Sequence, residues 1–308
     1  MHVVEKNKDS LASLTDDLTA DSKDLGEKRR LSTGVPQLDL LIGGGLPKGK
    51  SYLIGGESGT GKTIFATAFV LKGLMEGEKA VYVSIDDKPS DIVEQAASLG
   101  WDLMKYLSEK QLLMLDAAPF FSSPNGMSKE VDITKTVSDL ASYVTRLGAS
   151  RVVIDPVGPL VPSRDTGKRV RDSARSLIRA LREHLEGTTN LLVLPSSTSA
   201  ETGEWEEYPV AGVFILKLTQ TQRGLTRAIM VRKMRATAVE LTEYPFRIVN
   251  GKGIVIETTI PVASAPAAEV ATEIPQSYVE VPVNLPDDGR KIFEAWNPVE
   301  ETGLKSAK

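Results

Sequence analysis

Cysteine is absent from the chain, and histidine occurs only at His2 and His184. The first absence excludes a disulfide framework, a thiolate metal site and a cysteine nucleophile, and the second excludes a histidine metal cluster. A cytoplasmic compartment is expected. Aromatic residues make up only 6% of the 308 residues, and a strong net charge is also missing, at −4. No apolar run approaches the roughly 18 residues that a membrane-spanning helix needs, and the first thirty residues hold no secretory apolar core. Membrane insertion is not expected. What remains is 41% hydrophobic and 25% charged, enough for a substantial core.

Charge is uneven. Lys+Arg against Asp+Glu counts 6 to 7 over residues 1–30, 27 to 26 over 31–257 and 4 to 8 over 258–308. The nearly neutral middle means that any polyanion binding must come from a local patch. Residues 1–30 read as a polar arm with a short helix at 10–19. From Leu31 onward, apolar runs at 51–55, 80–85, 111–115, 151–155 and 190–195 alternate with helical stretches at 61–76, 89–99, 131–147 and 169–186. That alternation predicts an α/β fold with a mainly parallel sheet flanked by helices. In 169–186, Val170, Ala174, Leu177, Ile178, Leu181 and Leu185 form one stripe opposite Arg171, Arg175, Arg179 and Arg182. After 212 the pattern changes to strand, turn, strand, with turns at Arg223-Gly224 and Asn250-Gly251, which predicts C-terminal antiparallel strands. Six prolines fall in residues 258–308, a Pro-rich acidic tail whose amphipathic island at 290–298 suits docking on a partner.

Residues Gly56-Glu57-Ser58-Gly59-Thr60-Gly61-Lys62-Thr63 match G-x-x-x-x-G-K-[ST] in full. By chance such a match arises in about one chain in a hundred, and here it also follows a predicted strand and opens a predicted helix. Glycines let backbone N–H groups turn toward phosphate oxygens, and the helix N-terminus adds partial positive charge. Lys62 is expected to reach the β- and γ-phosphates of ATP and Thr63 to hold Mg2+. A second metal-side group should end another buried strand, and Arg151-Val152-Val153-Ile154-Asp155 supplies Asp155 at the carboxyl edge of the sheet.

With these residues the chain resembles the RecA superfamily and, within it, the KaiC-like ATPases named after the cyanobacterial clock protein. Further stretches carry the resemblance: Thr33-Gly34-Val35 through Asp39 to Gly49, Ala96-Ala97-Ser98-Leu99-Gly100-Trp101-Asp102, and Tyr244-Pro245-Phe246 with Gly253-Ile254. It covers about 31–257 and one such domain. The resemblance implies a homo-oligomeric ring, usually a hexamer, with ATP between subunits. It also implies a K-x-R-x-T element on a late strand, here Lys233-Met234-Arg235-Ala236-Thr237, whose cations meet the neighbour's γ-phosphate. By the period of two, Arg232 should point away from Lys233 and Arg235.

One position departs from the family pattern. Two adjacent glutamates after the second strand are replaced by Asp86 and Asp87, each shorter by one methylene, so slow hydrolysis is expected. The plain alternative is that this pair is a solvated strand end and helix cap before Pro89. The family's phosphorylated Ser and Thr align with Glu207 and Tyr208, so autokinase activity of that kind is not carried over. Loop 157–172 is basic and the Trp205 loop acidic, which disfavours nucleic acid and favours a protein partner at the tail or ring face. The expectation is a Mg2+-dependent ATPase acting as a slow regulatory or signalling switch. The alternatives are a recombinase-type ATPase on single-stranded DNA and an oligomeric ATP-binding scaffold with negligible hydrolysis.

Overall fold

Short apolar runs bounded by Gly, Lys and Asp form strands buried on both faces, and the amphipathic stretches between them fold as the helices that bury those faces. The computed structural model describes residues 30–121, 132–161, 167–195, 209–221 and 224–257, excepting the side chains of 167–171 and 221. The arm and its helix at 10–19, residues 162–166 of the basic loop, the Trp205 loop with Glu207 and Tyr208, and the docking segment at 290–298 lie outside the described residues.

The chain begins with β1 (Arg30–Leu31), α1 (Pro36–Leu41), β2 (Leu46–Pro47) and β3 (Ser51–Gly56), then α2 (Lys62–Met75), β4 (Ala80–Ser84), α3 (Pro89–Ser98) and α4 (Leu103–Ser108). It continues with β5 (Leu112–Asp116), α5 (Ala118–Phe121), α6 (Ile133–Leu147), β6 (Arg151–Asp155), α7 (Gly167–His184) and β7 (Thr189–Pro195). β8 (Gly212–Thr221), β9 (Gly224–Met234), β10 (Glu243–Val249) and β11 (Gly253–Ile256) close the order. Nine strands make one sheet in the order β11-β10-β9-β8-β3-β7-β6-β4-β5. The six strands from β8 to β5 run parallel, and β9, β10 and β11 extend the sheet antiparallel. This is the expected mainly parallel α/β fold with C-terminal antiparallel strands. The β1–β2 ribbon, α1, α4 and α5 are too short to leave a readable period.

Alternation along each strand builds a core on either side of the sheet. Tyr52, Ile54, Tyr82 and Val153 pack with Phe65, Phe69, Ile92 and Leu103 beneath α2, α3 and α4. Leu53, Val81, Val83, Val152 and Ile154 pack with Val137, Leu140, Leu177, Ile178 and Leu181 beneath α6 and α7. Over its described side chains the α7 stripe lies as the sequence predicts, with Ala174, Leu177, Ile178, Leu181 and Leu185 buried and Arg175, Arg179 and Arg182 exposed.

The period of two also determines what faces α2. Arg151, Val153 and Asp155 share that face, so β6 presents a cation at its start and a carboxylate at its end. Arg151 is fully buried, paired with Glu78 at 2.6 Å, and donates to the carbonyls of Ser32 and Phe69 at 2.7 and 2.8 Å. Gly73 of α2 makes room for it, since a Cβ there would lie 2.2 Å from the Arg151 Nε.

Candidate functional site

The phosphate loop joins β3 to α2. Gly56, Gly59 and Gly61 have φ of 154°, 78° and 102°, conformations that side-chain-bearing residues avoid. At Gly56 a Cβ would also stand 2.3 Å from the carbonyl oxygen of Leu216. The loop is therefore pinned against β8 while its amides and the first turn of α2 face the carboxyl edge of the sheet. The Thr60 hydroxyl and the Lys62 ammonium both donate to the Glu57 carbonyl, each at 2.8 Å. Burial pushes the Lys62 ammonium below its ordinary range, while Asp155 and Glu57 pull it back up.

Thr63 and Asp155 meet as the motif spacing implies. The Thr63 hydroxyl donates to Asp155 Oδ2 at 3.0 Å, and the Tyr82 hydroxyl donates to the same oxygen at 2.7 Å. Tyr82 comes from the β4 neighbour of β6 and is 1% exposed. The sequence reading missed it, although a tyrosine inside the run Ala80-Val81-Tyr82-Val83-Ser84 signals a buried hydroxyl that needs a partner. Burial raises the Asp155 carboxyl, opposed by the hydrogen bonds from Tyr82 and Thr63; the Asp87 charge adds to the rise and Lys62 counters it. Thr63 and Asp155 supply two hard oxygen donors, the kind of donor set that suits a magnesium ion otherwise ligated by water and phosphate.

A buried carboxylate such as Asp155 costs stability. A group whose folded-state pKa is raised favours folding fully below its unfolded value, and that contribution is lost as pH climbs through the folded value. Asp155→Asn keeps an oxygen to accept from Thr63 and Tyr82 but removes the charge. The nucleotide-free variant is expected to melt about 2–4 °C above the parent at neutral pH, equivalent to about 1 kcal/mol, with the gain shrinking toward acid. Calorimetry at two pH values checks this, and equal melting temperatures at neutral pH contradict it.

Asp86 and Asp87 follow β4 at the same edge. The Ile85 N–H donates to the Asp155 carbonyl at 2.9 Å, so the β4 terminus runs beside the end of β6. Partial desolvation, then the adjacent Asp87 charge, raises the Asp86 carboxyl. Neither aspartate caps α3. The cap position is Lys88, with no side-chain hydrogen bond. The Ser84 hydroxyl donates to the Asp87 carbonyl, fixing the backbone while both residues remain exposed.

The K-x-R-x-T element lies elsewhere. Strand pairing sets Gly56 level with Leu216 and Leu216 level with Ile229. The Ala211 N–H donates to the Ser51 carbonyl, and the Arg235 N–H donates to the Ala211 carbonyl. Arg235 therefore stands level with the start of β3, about 17 Å of strand from the end that carries the loop. It occupies a turn just beyond β9, not the strand itself. A register shift opposite Val213 and Phe214 inserts Arg232 as an extra residue. The bulge breaks the expected alternation, and Met234 returns to the same core as Val231. The Thr237 hydroxyl accepts from Arg30 at 3.0 Å. At the loop end, by contrast, Arg227 of β9 donates from Nε to the Gly59 carbonyl at 3.1 Å. Nothing local marks Arg227 in the sequence; the β8–β9 hairpin alone brings it there.

Comparison with known proteins identifies the family. A model of the KaiC ATPase family matches residues 31–259. The circadian clock protein KaiC3 of Synechocystis is 31% identical over 250 residues, 80% of this chain and 48% of that protein. The chain thus spans about half the length of that relative. A UPF0273 protein of Pyrococcus furiosus is 33% identical over 241 residues, covering 74% of this chain and 94% of the relative. Among solved structures, a KaiC-like protein from Pyrococcus horikoshii has a TM-score of 0.62 at 31% identity, covering 75% of this chain and 99% of the other. With the phosphate loop, the Thr63–Asp155 pair and the nine-stranded sheet all inside the matched region, the chain belongs to the KaiC family of nucleotide-binding ATPases.

Proposed function

We propose that the chain binds ATP with Mg2+ at loop 56–63 and hydrolyses it slowly between neighbouring copies in a ring. The ring is a hexamer by resemblance, and its nucleotide state serves as a regulatory or signalling switch. One observation supports this reading: Arg235 and the phosphate loop stand at opposite ends of the central strands of one sheet, which suits the cations to the site of another copy.

Backbone amides of the loop and the α2 N-terminus would hold the phosphates, with Lys62 swinging from the Glu57 carbonyl to the β- and γ-phosphates. Thr63 and Asp155 would hold Mg2+, which when bound offsets phosphate charge. Tyr82 keeps the Asp155 carboxylate turned toward Thr63. Asp86 or Asp87 would accept the proton of the attacking water, and partial burial with the neighbouring Asp87 charge makes the Asp86 carboxylate a stronger base than an ordinary aspartate. Lys233 and Arg235 from the adjacent copy would stabilise the charge that develops on the transferred phosphoryl group. The short aspartates leave a wider gap to the water than glutamates would, which accounts for slow turnover.

Light scattering with and without ATP and Mg2+, paired with phosphate release, tests the proposal. Growth in mass on adding nucleotide is expected, and a population that stays monomeric at saturating ATP contradicts it. Asp86→Asn combined with Asp87→Asn is expected to lower phosphate release about 10²-fold with assembly retained. Turnover unchanged in that double variant would remove both aspartates from the base role.

A further inference from the structure

The segment that presents Arg235 is held from two sides. On one side, the Arg235 N–H donates to the Ala211 carbonyl at 2.7 Å. The next residue, Ala236, has φ of 56°, a left-handed conformation that costs a residue with a Cβ about 1 kcal/mol or more. Such a turn keeps its shape only when its far side is fixed as well. Thr237 is that far side, and its hydroxyl accepts from Arg30 Nη2 at 3.0 Å.

Arg30 is itself firmly placed. Its backbone pairs with Pro47 in the β1–β2 ribbon. Its Nη1 donates to the carbonyls of Ile42 and Gly45, at 3.0 and 2.7 Å. Those two carbonyls bracket the turn through Gly43, Gly44 and Gly45, where φ is 71°, 96° and 108°. A Cβ at Gly43 would lie 3.7 Å from the Thr237 methyl carbon, so the glycine turn packs directly on the threonine. One planar guanidinium thus joins three pieces of chain with its donors in a fixed fork, which an ammonium cannot reproduce. Arg30 and Thr237 are 207 residues apart in sequence, so no local pattern announces the pair.

We infer that Arg30 is a positioning residue for the cross-subunit cations. By tying Thr237 to the Ile42–Gly45 turn, it fixes the pose in which Arg235 is offered to a neighbouring copy. The inference rests on the ring reading above, and it assigns Arg30 no contact with nucleotide.

The test compares Arg30→Ala, Arg30→Lys, Arg235→Ala and the Arg30→Ala/Arg235→Ala double variant in the full chain. Light scattering reads the protomer concentration at half-assembly with ATP and Mg2+, and a fluorescent ATP analogue reads binding by dilute protomers. Arg30→Ala is expected to raise the half-assembly concentration about five- to tenfold, the scale of one lost hydrogen bond of ordinary net strength. Arg30→Lys should recover little of it, and binding by dilute Arg30→Ala protomers should be unchanged. In the Arg235→Ala background, Arg30→Ala should add nothing, because its effect passes through Arg235. Additive losses, or a normal midpoint for Arg30→Ala beside an impaired Arg235→Ala, overturn the inference and leave the ring reading standing. A silent Arg235→Ala overturns the ring reading, and this one with it. Should Arg30→Ala not fold, Thr237→Val removes the acceptor alone and must raise the midpoint in the same direction; a normal midpoint there overturns the inference.

Discussion

Lys62→Ala is expected to lower ATP-dependent phosphate release by about 10²–10³-fold, the usual cost of removing one preorganised charge donor from a site where negative charge develops. The Nζ atom rests on the Glu57 carbonyl, 2.8 Å away, inside its own loop, a contact that any bound phosphate can replace. Burial lowers the Lys62 ammonium from its ordinary range, and Asp155 and Glu57, which flank the phosphate path, partly offset that. Without Lys62, the loop amides still attract an anion but the β- and γ-oxygens lose their cation. Folding should scarcely change, because the hydrogen bond given up is exposed. A malachite-green assay at saturating ATP, set beside a melting curve, separates the two effects. Turnover within about threefold of the parent, with nucleotide still bound, would mean that the phosphates lie elsewhere. Lys62→Arg should rescue poorly, since the guanidinium is planar and larger than the compact ammonium the loop encloses.

The parallel sheet and its loop were legible because they follow from local rules. Five-residue apolar runs separated by amphipathic helices leave few topologies, and a glycine-lysine-threonine sequence after a strand can turn only one way. Asp155 was legible for the same reason, as the polar end of a buried strand. What could not be read depended on pairing across the sheet. The bulge opposite Val213 and Phe214 returns Met234 to the core that holds Val231, where strict alternation would place it on the other face of the sheet. The contacts of Arg227 with the loop and of Arg30 with Thr237 join residues 168 and 207 positions apart. They exist only because β8 inserts beside β3 and the β1–β2 ribbon folds back over the glycine turn. Tyr82 falls between these cases. Its burial was readable, whereas its partner, Asp155, required knowing that β4 lies beside β6.

Arg235→Ala is expected to reduce phosphate release by about 10³-fold or more, the range found when an arginine that completes a nucleotide site from outside is removed. The same loss would result if Arg235 acted within its own chain, so the single variant does not identify which copy it serves. Mixing does. Lys62→Ala protomers keep Arg235 but have no working loop, and Arg235→Ala protomers keep the loop but donate no cation. Each population alone should be inactive. In rings assembled from equal amounts of both, an interface works when an intact loop faces an intact Arg235, which independent choice gives for about one interface in four. Turnover near a quarter of the parent value is therefore expected after the two are mixed as monomers and assembled with ATP and Mg2+. The separation of Arg235 from its own loop by the length of the β3 strand is the reason recovery is expected. If the mixture stays as inactive as its components while scattering reports mixed assemblies, Arg235 does not complete a neighbour's site.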